Sequence, residues 1–154
     1  MPELRIDPLN GLRTIVAGER AGRPGGGLSA DPRPPIDAEK DPFLEGHEDR
    51  TPPELYAVRP GGGAPDTPGW KVRVVPNLYP ALDPPDVDEP EPAGDPLAGG
   101  RGEPDLFAKR PAAGAHEVIV NSPSPVSSLA DLELGQVELA MDAWRERMRT
   151  HSGA

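Results

Sequence analysis

Proline and glycine, at 23 and 18 of 154 residues, leave this chain few places to build a long regular element. Proline removes a backbone donor and fixes φ, and glycine adds freedom that folding must remove. Together they exceed a quarter of the chain, close to the level at which low-complexity disorder competes with a fold. Aromatic residues make up only 4%, so the apolar core is expected to be thin. The pattern predicts short strands set between long loops, with one domain over residues 1–154.

The apolar segments that survive this punctuation are few. Asp7-Pro8 and Asn10-Gly11 are turn chemistry, and residues 12–17 then read as a strand. "ELYAVRP" (54–60) reads as a second strand. "WKVRVVPN" (70–77) is the clearest one. It places Trp70, Val72 and Val74 on one face and Lys71 and Arg73 on the other, and Pro76 ends it. "HEVIVNSP" (116–123) is a further strand. "SSLADLELGQVELAMDAWRERMRT" carries serine caps and then Val137, Ala140, Met141, Trp144 and Met148 at helical spacing, one apolar stripe. Arg145, Arg147 and Arg149 suit the negative end of its dipole. Residues 24–40 are expected to be flexible. The acidic, Pro/Gly-rich insert 83–114 reads as a solvated loop. The class is α+β, an antiparallel sheet carrying one C-terminal amphipathic helix.

Composition also excludes functions. A net charge of −10 argues against binding a nucleic-acid backbone, though a few local arginines can still hold a phosphate. There is no cysteine, so disulfides and thiolate zinc sites are both absent. No apolar run is long enough for a membrane span and the N-terminus lacks a signal core, so a cytoplasmic protein is expected. Of the three histidines, His116 opens a strand and His151 ends the helix. His47, with Glu48 and Asp49, could bind a metal weakly, but a solvated turn is the better reading. Trp70 and Trp144 read as core anchors.

Four motifs then occur in a specific order: "DPLNG…IVAGERAGRP", "DPF…GHEDRTPPE", "PGWKVRVVPNLYPAL" and "HEVIVNSP…SLADL…WRERM". In this order the chain resembles the N-terminal half of the galactose-1-phosphate uridylyltransferase family, within the histidine-triad superfamily. The resemblance implies part of a histidine-triad-like sheet and a place in galactose metabolism. It also implies nucleotide contacts at Arg20 and Arg23, where guanidinium forks would grip phosphate oxygens. Asn77 would lie near the nucleoside, with an amide that donates and accepts.

The same resemblance implies losses. The family's C-x-x-C zinc knuckle falls on Asp41 and Leu44, and a histidine ligand falls on Pro125. Leu44 and Pro125 cannot ligate, and one carboxylate is a poor substitute for a thiolate pair on tetrahedral zinc. No metal and no cofactor are therefore expected. The fourth ligand and the nucleophilic histidine lie in a His-Pro-His stretch that the family places beyond the helix, and these 154 residues contain none. Family chemistry proceeds through a covalent nucleotidyl-histidine, which needs that imidazole. No catalytic residue is assigned here. The expected reading is a truncated or split product, inactive alone and completed by a second chain. The alternative is a non-catalytic module that binds a UDP-sugar or another nucleotide.

Overall fold

The computed structural model of the chain describes residues 1–7, 9–23, 36–84 and 109–152. It is α+β, as expected, with its strands divided between two antiparallel sheets. These belong to two compact units. The first draws on segments 1–23, 79–84 and 109–116, and the second on 36–78 and 117–152.

In the first unit the strand order is β2-β1-β5, with β1 Glu3–Ile6, β2 Arg13–Val16 and β5 Lys109–Pro111. The turn chemistry at 7–11 acts as anticipated. The Asp7 carboxylate accepts from Leu9 N at 2.8 Å, and Asn10 Oδ1 accepts from Leu12 N at 2.8 Å. Gly11 takes a φ of 72°, where a side chain would be strained. The strand before this turn is a correction, because the sequence reading began at the turn itself. "ELRI" alternates too briefly to show a period, and β1 forms because it is paired on both sides.

The acidic insert needs a similar correction at its ends. Residues 85–108 lie outside the described residues, as do 24–35 of the expected flexible loop. Yet 109–111 form β5, which pairs Lys109 with Arg5 and Pro111 with Glu3. Asp83 N donates to Ala112 O and Gly114 N to Asp83 O, so both flanks of the insert are bound into the unit.

In the second unit the order is β3-β4-β6, with β3 Tyr56–Val58, β4 Val72–Pro76 and β6 Glu117–Val120. The central strand is buried on both faces. Helix α1, Leu134–Ser152, lies against this sheet, and Val72, Ala140 and Ala143 form the buried cluster with Tyr56, Val58, Ile119 and Leu139 around it. Alanine at 140 and 143 lets the helix approach the strands closely. The expected stripe was therefore displaced around the helix. Met141, Trp144 (41% exposed) and Met148 (71% exposed) lie beside the buried line, and Trp144 is not a core anchor. Its indole N–H instead donates to Asn121 Oδ1 at 2.9 Å. The serine cap also moves: Ser128 Oγ accepts from Ala130 N and caps a short 3-10 turn, Leu129–Asp131, ahead of α1. Polar straps complete the docking. Gln136 Nε2 donates to the carbonyls of Lys71 and Asn121, and Arg147 grips Glu117 bidentately at 2.6 and 2.9 Å. No helix among the described residues is long and apolar enough to cross a membrane.

The second face of β4 is not solvated. Arg73 is 2% exposed, and its guanidinium donates to Asp66 Oδ1, Thr51 Oγ1 (2.7 Å), Glu54 Oε2 (3.3 Å) and Glu48 O (3.4 Å). Glu54 is gripped in turn by Arg59 at 2.5 and 2.7 Å. Every fully buried side-chain nitrogen and oxygen among the described residues has a partner.

Two predictions follow from these pairs. Arg73→Ala leaves Glu54 and Asp66 without their shared partner and should cost about 3–5 kcal/mol in urea unfolding. Arg145→Ala, which removes an exposed helix pair with Asp142, should stay within about 0.5 kcal/mol of wild type. Acid dependence is the second. Burial opposes ionisation of Glu48 and Glu54, but hydrogen bonds from Trp70 and Gly46 to the former and from Arg59 to the latter outweigh it, and both pKa values fall below 4.5. The Arg147 hydrogen bond lowers Glu117 likewise. The unfolded chain then binds more protons, so these groups stabilise the fold fully above pH 4.5 and lose that contribution as pH falls through their folded values. Unfolding free energy should drop below pH 4.5, and less steeply in Glu117→Gln; equal slopes would contradict this assignment.

Candidate functional site

The loop after β2 positions the first candidate group. Residues 18–22 wind into a 3-10 turn, Gly18–Gly22, and Arg20 sits in its middle. Arg20 Nη1 donates to the carbonyl of Tyr79 at 2.9 Å and lies 3.2 Å from His116 Nδ1. The same Nδ1 accepts from Ala81 N at 2.8 Å. Both hydrogen bonds of Arg20 among the described residues run through Nη1. Arg23 is exposed at the end of the turn, where its backbone N–H donates to Arg20 O.

From sequence alone His116 marks only the start of a strand. In the fold its ring accepts from two donors, so the imidazole is neutral, with its proton on Nε2. Burial holds its pKa below 6.5, and the neighbouring Arg20 charge adds to that. No local spacing could have revealed the pair, because 96 residues separate its members. Asn77 follows β4 directly in the second unit and is half-buried.

The second candidate is the turn at 41–47. Asp41, Leu44 and Pro125, the positions that the resemblance equates with zinc ligands, line one cavity of about 290 Å³. Phe43, Ser122, Ser124 and Leu129 also line it. The donor set does not fit zinc. Leu44 and Pro125 bring hydrocarbon, and Asp41 Oδ1 already accepts from Phe43 N at 2.9 Å.

Other bonds close the turn. His47 Nδ1 lies 2.7 Å from the carbonyl of Asp41, so that nitrogen carries the proton and donates. Gly46, at a φ of 94°, gives its N–H to the Glu48 carboxylate. Glu45 N reaches Pro123 O at 3.4 Å, and Glu45 Oε1 accepts from Gly69 N at 2.6 Å. Glu48, which the sequence places in a solvated turn, is enclosed instead. It is buried, and its Oε1 accepts from the indole of Trp70 at 2.7 Å, with Trp70 a core anchor as expected. No cluster of three or more histidine, aspartate or glutamate side chains suited to a metal occurs among the described residues.

Comparison with known proteins agrees with the motif order. The family description "Galactose-1-phosphate uridyl transferase, N-terminal domain" matches residues 1–153. An ADP-glucose phosphorylase of Arabidopsis thaliana is 31% identical over 151 residues, covering 96% of this chain and 38% of that protein. The crystal structure of an Arabidopsis thaliana ADP-glucose phosphorylase with bound ADP-glucose superposes with a TM-score of 0.50 at 26% identity, over 100% of this chain and 39% of that one. A uridylyltransferase structure gives a TM-score of 0.53 at 29% identity, over 96% of this chain and 35% of that one. The chain thus spans well under half the length of these relatives. A match across nearly all its residues, joined to a fold of the same kind, places the chain in the galactose-1-phosphate uridylyltransferase family of nucleotidyl transferases, as an N-terminal domain.

Proposed function

We propose that this domain binds the phosphates of a nucleotide sugar and performs no nucleotidyl transfer by itself. The observation that carries the reading is Arg20. Its guanidinium is fixed at Nη1 by Tyr79 and His116, and a guanidinium edge formed by Nε and Nη2 is suited to meet phosphate oxygens bidentately. Arg23, on the same turn, adds a second charge. Such donors stabilise charge on a phosphoryl group. They do not themselves supply a nucleophile. The ligand is a nucleoside-diphosphate sugar in this reading, with ADP-glucose and UDP-glucose the first two to test. A cytoplasmic setting belongs to the same reading.

A second reading has one observation in its favour. Ile119, Trp144 and Met148 line an open apolar recess beside α1. That suits a domain whose apolar face is completed by a further polypeptide. In that case transfer activity should appear only when such a polypeptide is added.

Calorimetry with ADP-glucose and UDP-glucose tests the first reading. Binding should occur and should weaken by about tenfold or more in Arg20→Ala, the loss of one charge-assisted contact. No heat at millimolar ligand from folded protein would refute it. Uridylyl transfer from UDP-glucose to galactose-1-phosphate should be undetectable, and turnover by the purified chain would contradict the inactive part of the proposal. Protein grown in zinc-supplemented medium should contain far less than one zinc per chain. Its thermal midpoint should not change with a chelator.

A further inference from the structure

His116 Nδ1 has a single lone pair in the plane of its ring, and two donors address it: Ala81 N at 2.8 Å and Arg20 Nη1 at 3.2 Å. A proton on Nδ1 would face both donors and break both bonds. The ring therefore works as a neutral acceptor. Ala81 N–H fixes the ring, and the ring with the Tyr79 carbonyl fixes the Nη1 end of Arg20.

We propose that His116 is a positioning residue for Arg20, holding its guanidinium so that the Nε–Nη2 edge is presented to a nucleotide phosphate. This rests on the reading of Arg20 as a phosphate contact. An arginine side chain has several rotatable bonds, and ordering it on binding weakens affinity. A side chain ordered beforehand by two acceptors avoids much of that loss. A carboxylate in place of His116 would order Arg20 equally well but would compete with the phosphate for its charge. A neutral imidazole orients the guanidinium and leaves its charge available to the ligand. Among the described residues, Arg20 is the charged group that acts on the ring.

The test uses the full chain and ADP-glucose as the probe. His116→Asn keeps an acceptor, because Oδ1 can stand where Nδ1 stood. His116→Phe keeps the ring and loses the acceptor. Calorimetry should show His116→Asn within twofold of wild type and His116→Phe weakened by about two- to tenfold, the cost of ordering one long side chain on binding. Arg20→Ala should be weaker still. If Arg20→Ala loses affinity while His116→Phe binds like wild type, the positioning role is overturned and the phosphate reading stands. If neither substitution changes affinity, the phosphate reading fails and the inference fails with it.

Nitrogen-15 NMR of the wild-type ring gives a readout that does not depend on the variants folding. At neutral pH, Nδ1 should be unprotonated and Nε2 protonated, and the His116 titration should move upward in Arg20→Ala. A ring protonated at Nδ1 would overturn the proposal.

Discussion

The second unit depends on a charge placed where a strand would ordinarily put an apolar side chain. Arg73 lies in the central strand and is almost fully enclosed. A buried guanidinium is tolerable only if its donors are met, and here they are met by groups from outside the sheet. Thr51 and Asp66 come from loops, the carbonyl of Glu48 from the short 3-10 turn Glu48–Arg50, and Glu54 lies just ahead of β3. The proline- and glycine-rich connections before β4 are therefore anchored to its underside by polar bonds. A thin core of valines and alanines closes the other face. With so few aromatic residues to bury, the chain gains order from directed hydrogen bonds that a larger apolar core would make unnecessary.

The turn at 41–47 shows the same economy. At positions where relatives of this kind carry metal ligands, by resemblance, the chain has one carboxylate and two hydrocarbon side chains around a cavity. The turn keeps its shape through its own bonds. Asp41 caps it, Glu48 takes the N–H of Gly46, and Trp70 ties Glu48 to the core. A metal clip fixes a loop by binding a few side chains at one point. Here the constraint is spread over several modest bonds, most of them between a carboxylate and a backbone N–H.

The candidate phosphate group is built on a related principle. Arg20 is on a short turn that by itself would leave a long side chain free to sample many rotamers. Tyr79 and His116 select one orientation through neutral acceptors. The positive charge is thus oriented without being neutralised, which is the condition for a site that binds an anion.

The residues by themselves determined the class, the family and, among the described residues, four of the six strands and the long helix. These follow from local chemistry and motif order: β-branched runs ended by proline, Asx turns, helical spacing, and four motifs in sequence. By resemblance, the sequence also puts Leu44 and Pro125 where relatives place metal ligands, and neither side chain offers a lone pair. Tertiary structure decided the rest. Spacing shows that a helix has an apolar side but does not choose between neighbouring lines, and only close packing selects Ala140 and Ala143 over Trp144 and Met148. Alternation along β4 assigned Arg73 to a face without showing that loops would cover it. Short β1 and β5 exist because each finds a partner across the chain, Lys109 opposite Arg5. His116 gained its place beside Arg20 only when residues 96 apart came within hydrogen-bond reach, a proximity that no local pattern encodes.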